Sequence, residues 1–430
     1  MTYTVSDTVA RGILKKELPD LCIEKLEVDA SIHSKQTYTA KPLDGKHVHL
    51  ALPPPSWNRL LRAETYSLRS EGSVLSWLSS LPVFELPRIA ASQPLHLKGC
   101  DDEDDDNTDE QASLSSSVGS NASDEIIDIP PIANYLGGYV PELIRHGMPR
   151  VETKSPEYIL THPVTGVLAS SLIESLSDEA KRSMQWQAGQ LVRRTAFHKA
   201  PNGRFGPVVN VLRKKPLVIS PSAGVSRYAA EELSSDLGFK TWSMAFLSLF
   251  ETALRDLEDR VVHVSYQELR HQLRRFMPFL DNVRRPSLVV VNASKDDNNL
   301  LLTRSSSSNA GELRVEVSGV RDWGSCVFGD PLLSSAFAGG PSADFVRGIS
   351  CPAFDGDPFH SAPVIEDQAH AHIRLLLYEC YHALVWIAKP YYGRRNGPDD
   401  QELPARGRLQ GLLYNLEALD DNGFPLPGGH

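Results

Sequence analysis

The order of apolar patterns limits what this 430-residue chain can fold into: strand-like segments come first, and helical spacing follows. Between Leu26 and Leu52, the strand-like Gln36–Thr39 precedes Asp44-Gly45, a hairpin-turn pair, and then HVHLAL, His47–Leu52. Pro53–Pro55 ends that strand, because proline cannot donate to a sheet ladder. A short helix is expected at Thr8–Leu18, and Asn58–Leu78 carries a helical rhythm interrupted at Gly72. Tyr158–Thr161 reads as a strand leading into a hinge marked by Pro163 and Gly166. Ser177–Phe197 predicts a helix with Ser177 as its N-cap, and Thr241–Leu257 and Tyr266–Leu280 have helical spacing. Ser287–Val291, SLVVV, is a short apolar run expected of a buried strand. Leu300–Thr303 and Glu312–Val320 predict a hairpin, and Ala371–Ala388, apolar nearly all round, a buried helix. The sum is an α+β plan in two lobes. A strand-rich N-lobe spans 1–99, an insertion 100–125, the end of the N-lobe and the hinge 126–166, and a mainly helical C-lobe 167–430.

The insertion opens with Asp101–Glu110, DDEDDDNTDE, and continues rich in serine. It has too few apolar residues to offset its ordering entropy and reads as disordered. The net charge of −10 argues against a nucleic-acid or anionic-membrane partner, either of which favours a basic face. Much of that charge sits in the insertion, so it says little about a ligand. The five cysteines are scattered without a C-x-x-C pair, as in a protein with reduced thiols. The first twenty residues hold no apolar core of signal-peptide length, and Leu375–Ala388 is too short to span a bilayer. A cytoplasmic protein is expected.

Pattern and chemistry meet at Val291–Leu302, VNASKDDNNLLL, and Val320–Pro331, VRDWGSCVFGDP. The second stretch resembles the metal-binding loop of the aminoglycoside phosphotransferase and choline-kinase families. Asp322 falls in the metal position and Gly329-Asp330-Pro331 forms the structural ending. Tyr158–Gly166, Ser177–Phe205, Trp242–Asp259, Arg274–Val291 and Arg374–Leu384 resemble further stretches of fungal members of this superfamily, in the same order. The resemblance covers most of the chain outside the insertion. It implies a two-lobed protein-kinase-like (aminoglycoside phosphotransferase) fold, whose relatives transfer phosphate with metal-bound nucleotide.

Several positions depart from that pattern. The family's catalytic aspartate precedes its metal-binding asparagine by five residues; counting back from Asn299 gives Ser294, and the usual preceding histidine becomes Asn292. A hydroxyl has no useful basicity near neutral pH. The family lysine is expected within HVHLAL, where Ala51 stands, with His49 two residues back on the same face. Glu64 matches the helix glutamate that would pair with that lysine, apparently left without its cation. The loop ASIHSKQTYTA has no glycine through which backbone could approach phosphate, and the acid after Asp-Trp is Gly324. The catalytic candidates are therefore Ser294, Asp322 and His49. Candidate ligand-binding residues are Ala51, Glu64, Asn292, Lys295 and Trp323, and Asn299 and Asp322 are candidate metal ligands.

Plainer readings stand beside these. Asp322 either binds Mg²⁺ with Asn299 or satisfies backbone donors at the cleft, and Asp330 is a structural acceptor. Ser294 has no histidine placed beside it. His47 and His49 share a strand face but show no third metal ligand. Lys35, Lys295 and Arg321 either bind an anion or are solvated charges. Trp323 is a core aromatic or lies beside the cleft. The expected function is a kinase-fold cleft reused for a largely apolar small molecule without phosphoryl transfer. It would need no cofactor, and would hold one conformer for a cyclisation or pericyclic rearrangement. The alternatives are a pseudokinase that binds a protein partner, and a residual phosphotransferase that would need ATP and Mg²⁺.

Overall fold

The computed structural model describes residues 3–29, 34–43, 45–84, 133–149, 156–213, 237–293, 299–306, 313–352, 363–392 and 401–426. The expected insertion at 100–125 lies outside them, as do Ser294, Lys295 and Asp44.

A helix, α1 (Tyr3–Glu17), leads into β1 (Ile23–Asp29), β2 (Gln36–Pro42) and β3 (Val48–Leu52). The strands β4 (Glu142–Gly147) and β5 (Tyr158–His162) complete an antiparallel sheet in the order β1-β2-β3-β5-β4. Successive side chains on a strand point to opposite faces. Tyr38 and Ala40 of β2, Val48, Leu50 and Leu52 of β3, and Tyr158 and Leu160 of β5 pack with Ala10, Ile13 and Leu14 of α1. The opposite face carries Thr37, His49, Ala51, Ile159 and Thr161, and these turn toward the rest of the molecule. Register is fixed by which set is apolar, since a slip of one residue would bury the polar set under α1.

Helix α2 (Ser67–Ser80) follows β3, with Leu68, Val74, Leu75 and Leu78 buried. The helix runs through Gly72 without interruption. A Cβ there would fall 2.5 Å from the His146 ring of β4, so the glycine permits close approach and does not break the helix.

Beyond the hinge, β6 (Val167–Leu168) joins β9 (Leu300–Ser306) and β10 (Leu313–Val320) in one small sheet. A second small sheet holds β7 (Gly206–Pro207), β11 (Cys326–Gly329) and β8 (Ser287–Val290). Around them lie α3 (Asp178–Ala196), α4 (Trp242–Glu258), α5 (Tyr266–Leu280), α6 (Ala343–Ser350), α7 (Ala371–Tyr392) and α8 (Glu402–Glu417). The Ser177 hydroxyl accepts from the Ala180 N–H at 3.2 Å and caps α3. β8 is buried along its whole length. Trp242, Phe246, Phe250, Leu273, Phe276, Ile373 and Leu384 join the helices in one large core. The predicted hairpin is β9–β10, with Val315 and Val317 buried, Glu316 half-buried between them and Arg314 exposed ahead of them. The result is an α+β fold with a strand-rich first part and a helical second part.

Candidate functional site: a buried ion cluster between the lobes

Lys35 lies at the entry to β2, with its side chain on the sheet face turned away from α1. Only 4% of it is exposed. Its ammonium donates to Glu71 of α2 and, at 2.9 Å, to Asp322 Oδ1 in the loop after β10. Asp322 Oδ1 also accepts the Gly324 N–H at 2.9 Å. Burial alone would lower the Lys35 pKa, but the charges of Asp322 and Glu71 outweigh it and hold the ammonium above its ordinary value. Burial raises Glu71, and Lys35 only partly offsets that. Burial pushes Asp322 the same way, but there Lys35 and the Gly324 N–H prevail and the carboxyl sits low. One cation thus serves two carboxylates, Glu71 buried and Asp322 half-buried.

This cluster corrects the expected pairing. The position in β3 where a lysine was expected does carry Ala51, but the cation arrives from the neighbouring strand. Glu64 is not its partner: its carboxylate accepts the Leu61 N–H at 3.1 Å and closes the turn ahead of α2. Glu71, within α2, faces the cation instead. Lys35 is also not a solvated charge.

Asn299 is 3% exposed and acts as a clamp. Its amide donates to the carbonyls of Asn292 at 2.7 Å and Asp322 at 2.9 Å, and its oxygen accepts the Asp322 N–H at 2.7 Å. Asn299 and Asp322 are therefore together, but through backbone. Asn292 takes part by its main chain, while its residue is exposed. Trp323 does not line the cleft. Its indole is fully buried and donates to the Val320 carbonyl at 3.2 Å, because the loop turns it into the core with Leu68 and Leu75 of α2. Asp330 is structural: it is buried against Arg374, at 2.8 Å, and the Tyr378 hydroxyl, at 2.9 Å. Gly324 has a steric cause. A Cβ there would overlap the Ser67 hydroxyl at the start of α2, so no acid fits.

The cleft beside the cluster has a volume of about 110 Å³ and is lined by Thr37, His49, Ala51, Ile159, Leu301 and Arg321, among others. A second ion pair crosses it, Arg321 to Asp29 at 3.5 Å. Consecutive residues of one loop, Arg321 and Asp322, thus reach opposite charges, Asp29 and Lys35, on the sheet. His49 is half-buried, and burial takes its pKa down to about 4, so the imidazole is neutral at pH 7.

The described residues do not by themselves make a metal site. One Asp322 oxygen is engaged by Lys35 and Gly324, and the Asn299 oxygen is turned onto a backbone N–H. Among the described residues, no three histidine, cysteine or acidic side chains converge. Magnesium would find one free carboxylate oxygen and would depend on a ligand for the rest.

Sheet order, hinge, a lysine–glutamate pair and an aspartate after a hairpin define a two-lobed, kinase-like fold. No protein-family model matches the sequence, and no curated protein matches it. Solved structures similar to it include an aminoglycoside phosphotransferase with GDP and kanamycin, at 12% identity and TM-score 0.47, covering 95% of this chain and 98% of that one. A variant of an aminoglycoside 2'-phosphotransferase with GDP matches at 13% identity and TM-score 0.45, over 95% and 96% of the two chains. A Thermobifida fusca protein assigned as a fructosamine-3-kinase matches at 11% identity and TM-score 0.48, over 94% and 97%. No described helix is long and apolar enough to cross a membrane.

Proposed function

We propose that this chain is a cytoplasmic kinase-fold protein whose inter-lobe cleft takes a small, largely apolar molecule and does not transfer phosphate. The observation that carries this reading is the state of the cleft's cations. Lys35 is joined to Glu71 and Asp322, and Arg321 to half-buried Asp29, so an incoming phosphate would meet cations whose charge carboxylates already balance. Ser294 at the position of the base adds to it, since a hydroxyl cannot deprotonate an acceptor. The cleft is preformed, and Ala51, Ile159 and Leu301 give it apolar wall beside Thr37, His49 and the paired charges, a mixture that can hold and orient a small molecule. In the finer form of the reading, the protein is a biosynthetic enzyme that holds one conformer of its substrate for an intramolecular cyclisation or pericyclic rearrangement, with no cofactor.

The test is a thermal-shift titration with ATP and Mg²⁺ to millimolar concentration, followed by product analysis of candidate substrates without nucleotide. No stabilisation by nucleotide is expected. A ligand at 100 times its Kd would add about 2.7 kcal/mol of stability, which such a titration detects. Turnover strictly dependent on ATP and Mg²⁺ would overturn the reading.

One observation favours a second reading, a residual phosphotransferase. The lysine, glutamate and aspartate are all present and in contact, although the lysine comes from β2. Under that reading the same titration stabilises the protein, and Lys35→Met abolishes the shift.

A further inference from the structure

The cleft wall carries two polar groups that the ion cluster does not use. Thr37 of β2 is 6% exposed, lines the cleft, and its hydroxyl has no hydrogen-bond partner among the described residues. A buried hydroxyl without a partner is unfavourable and uncommon in a native protein. His49 of β3 lines the same cleft, and its ring makes no hydrogen bond among the described residues. Thr37 pairs directly with Ala51, and His49 lies two residues from Ala51 on the same face. The two polar side chains therefore flank a methyl group, where a longer side chain would fill the recess. Ile159 and Leu301 supply apolar wall beside them.

We propose that Thr37 and His49 form the recognition point of the cleft, and that they take an uncharged ligand group, a hydroxyl or carbonyl oxygen on an apolar body. This rests on the reading of the cleft as a small-molecule site. A rotation of Thr37 about its Cα–Cβ bond turns the hydroxyl from its buried position toward the recess, at the modest energy of a rotamer change. The imidazole, neutral because burial disfavours its cation, can either donate to a carbonyl or accept from a hydroxyl. Charge selects against anions: Lys35 and Arg321 are held by carboxylates, and Asp29 and Glu71 lie along the same wall. A carboxylate or phosphate placed at Thr37 would meet acidic neighbours and no uncommitted cation among these residues.

Three probes with one aromatic body separate the possibilities: phenol, benzoate and phenyl phosphate. Each is titrated into the full chain carrying ¹³C-ring-labelled histidine, with the His49 signal assigned by its loss in His49→Phe. Phenol is expected to shift the His49 signal and to bind more tightly than either anion. His49→Phe and Thr37→Val are each expected to weaken phenol about 2- to 10-fold, the worth of one neutral hydrogen bond. Thr37→Val also removes an unpartnered hydroxyl, so it should leave thermal stability unchanged or raise it, which separates lost binding from lost folding. Tighter binding of benzoate or phenyl phosphate overturns the proposal, as does phenol binding that neither substitution alters. If none of the three perturbs His49, the small-molecule reading of the cleft fails along with it.

Discussion

Replacing Lys35 by methionine tests the ion cluster most directly. Methionine keeps most of the side-chain volume, so the change is chiefly one of charge. Glu71 and Asp322 contact the same ammonium nitrogen, so their nearest oxygens lie within about 5 Å of one another. At that separation two charges repel by roughly 3 kcal/mol at an effective dielectric constant near 20. Removal of one member of a buried pair generally costs about 3–5 kcal/mol, and the two figures agree. Lys35→Met should therefore lower the unfolding free energy by ~3–5 kcal/mol at pH 7, read from the midpoint of urea unfolding. The loss should depend on pH. Burial already raises Glu71 above its usual value, and loss of the cation raises it further. The stability associated with protonated Glu71 is complete below the unfolded value and is lost as pH rises through the folded one. The deficit should thus shrink as pH is lowered toward the unfolded carboxylate range. Glu71→Gln in the Lys35→Met background should recover much of it at pH 7. A loss below about 1 kcal/mol, the worth of an exposed pair, would refute a buried cluster. So would a deficit that neither acid nor Glu71→Gln reduces.

Four further outcomes follow from individual contacts. Gly324→Ala should destabilise by about 1–3 kcal/mol in thermal or urea unfolding, because its Cβ overlaps Ser67, and Ser67→Gly should restore part of that. Asn299→Asp turns a donor into an acceptor against the carbonyls of Asn292 and Asp322, so its stability should fall as pH rises through the new carboxyl's elevated pKa. Asp330→Asn takes the nearer of two carboxylates from fully buried Arg374, leaving Asp367 at 3.4 Å, and should cost about 3 kcal/mol in urea unfolding. His198 is held at about 4, chiefly by burial, while the unfolded chain titrates near the ordinary 6.5. The unfolded state therefore binds the extra proton in that window, and stability should fall by roughly 3 kcal/mol as pH drops from 6.5 to 4. The slope should flatten in His198→Gln.

The strands, the helices and their order were legible in the sequence because each depends on local periodicity. Tyr266–Leu280 and the cap Ser177 match the structure directly. The pairings of the site were harder, because they depend on contacts between distant segments. Lys35 and Asp322 are 287 positions apart, and nothing in either neighbourhood points to the other. A signal for Glu71 was present all the same. Leu68, Glu71, Leu75 and Leu78 lie on one helical stripe, and a carboxylate in an apolar stripe needs a buried partner. Alternation in β2 likewise sets Lys35, Thr37 and Thr39 against the apolar Tyr38 and Ala40, which places the lysine on the cleft face. Gly72 and Gly324 were misleading for the opposite reason. Each looks like a missing feature in the sequence, and each is occupied in space by a neighbour, His146 or Ser67.

The shift of the cation by one strand separates two tasks that a single residue would otherwise combine. A lysine at Ala51 would stand in the middle of the sheet face and fill the recess between Thr37 and His49. From the entry to β2, Lys35 reaches Glu71 and Asp322 at one end of that face and leaves the middle open. The charge then joins the lobes and fixes α2 against the loop after β10, while the space beside Ala51 stays free for a ligand. Arg321 repeats the arrangement through Asp29 on the neighbouring strand. A ligand that enters without charge keeps both ion pairs intact and gains contact with apolar wall. One that enters as an anion meets cations whose charge Glu71, Asp322 and Asp29 already balance, and gains less from them. The electrostatics of the lobe junction, more than the identity of any single missing residue, therefore decide what the cleft can hold.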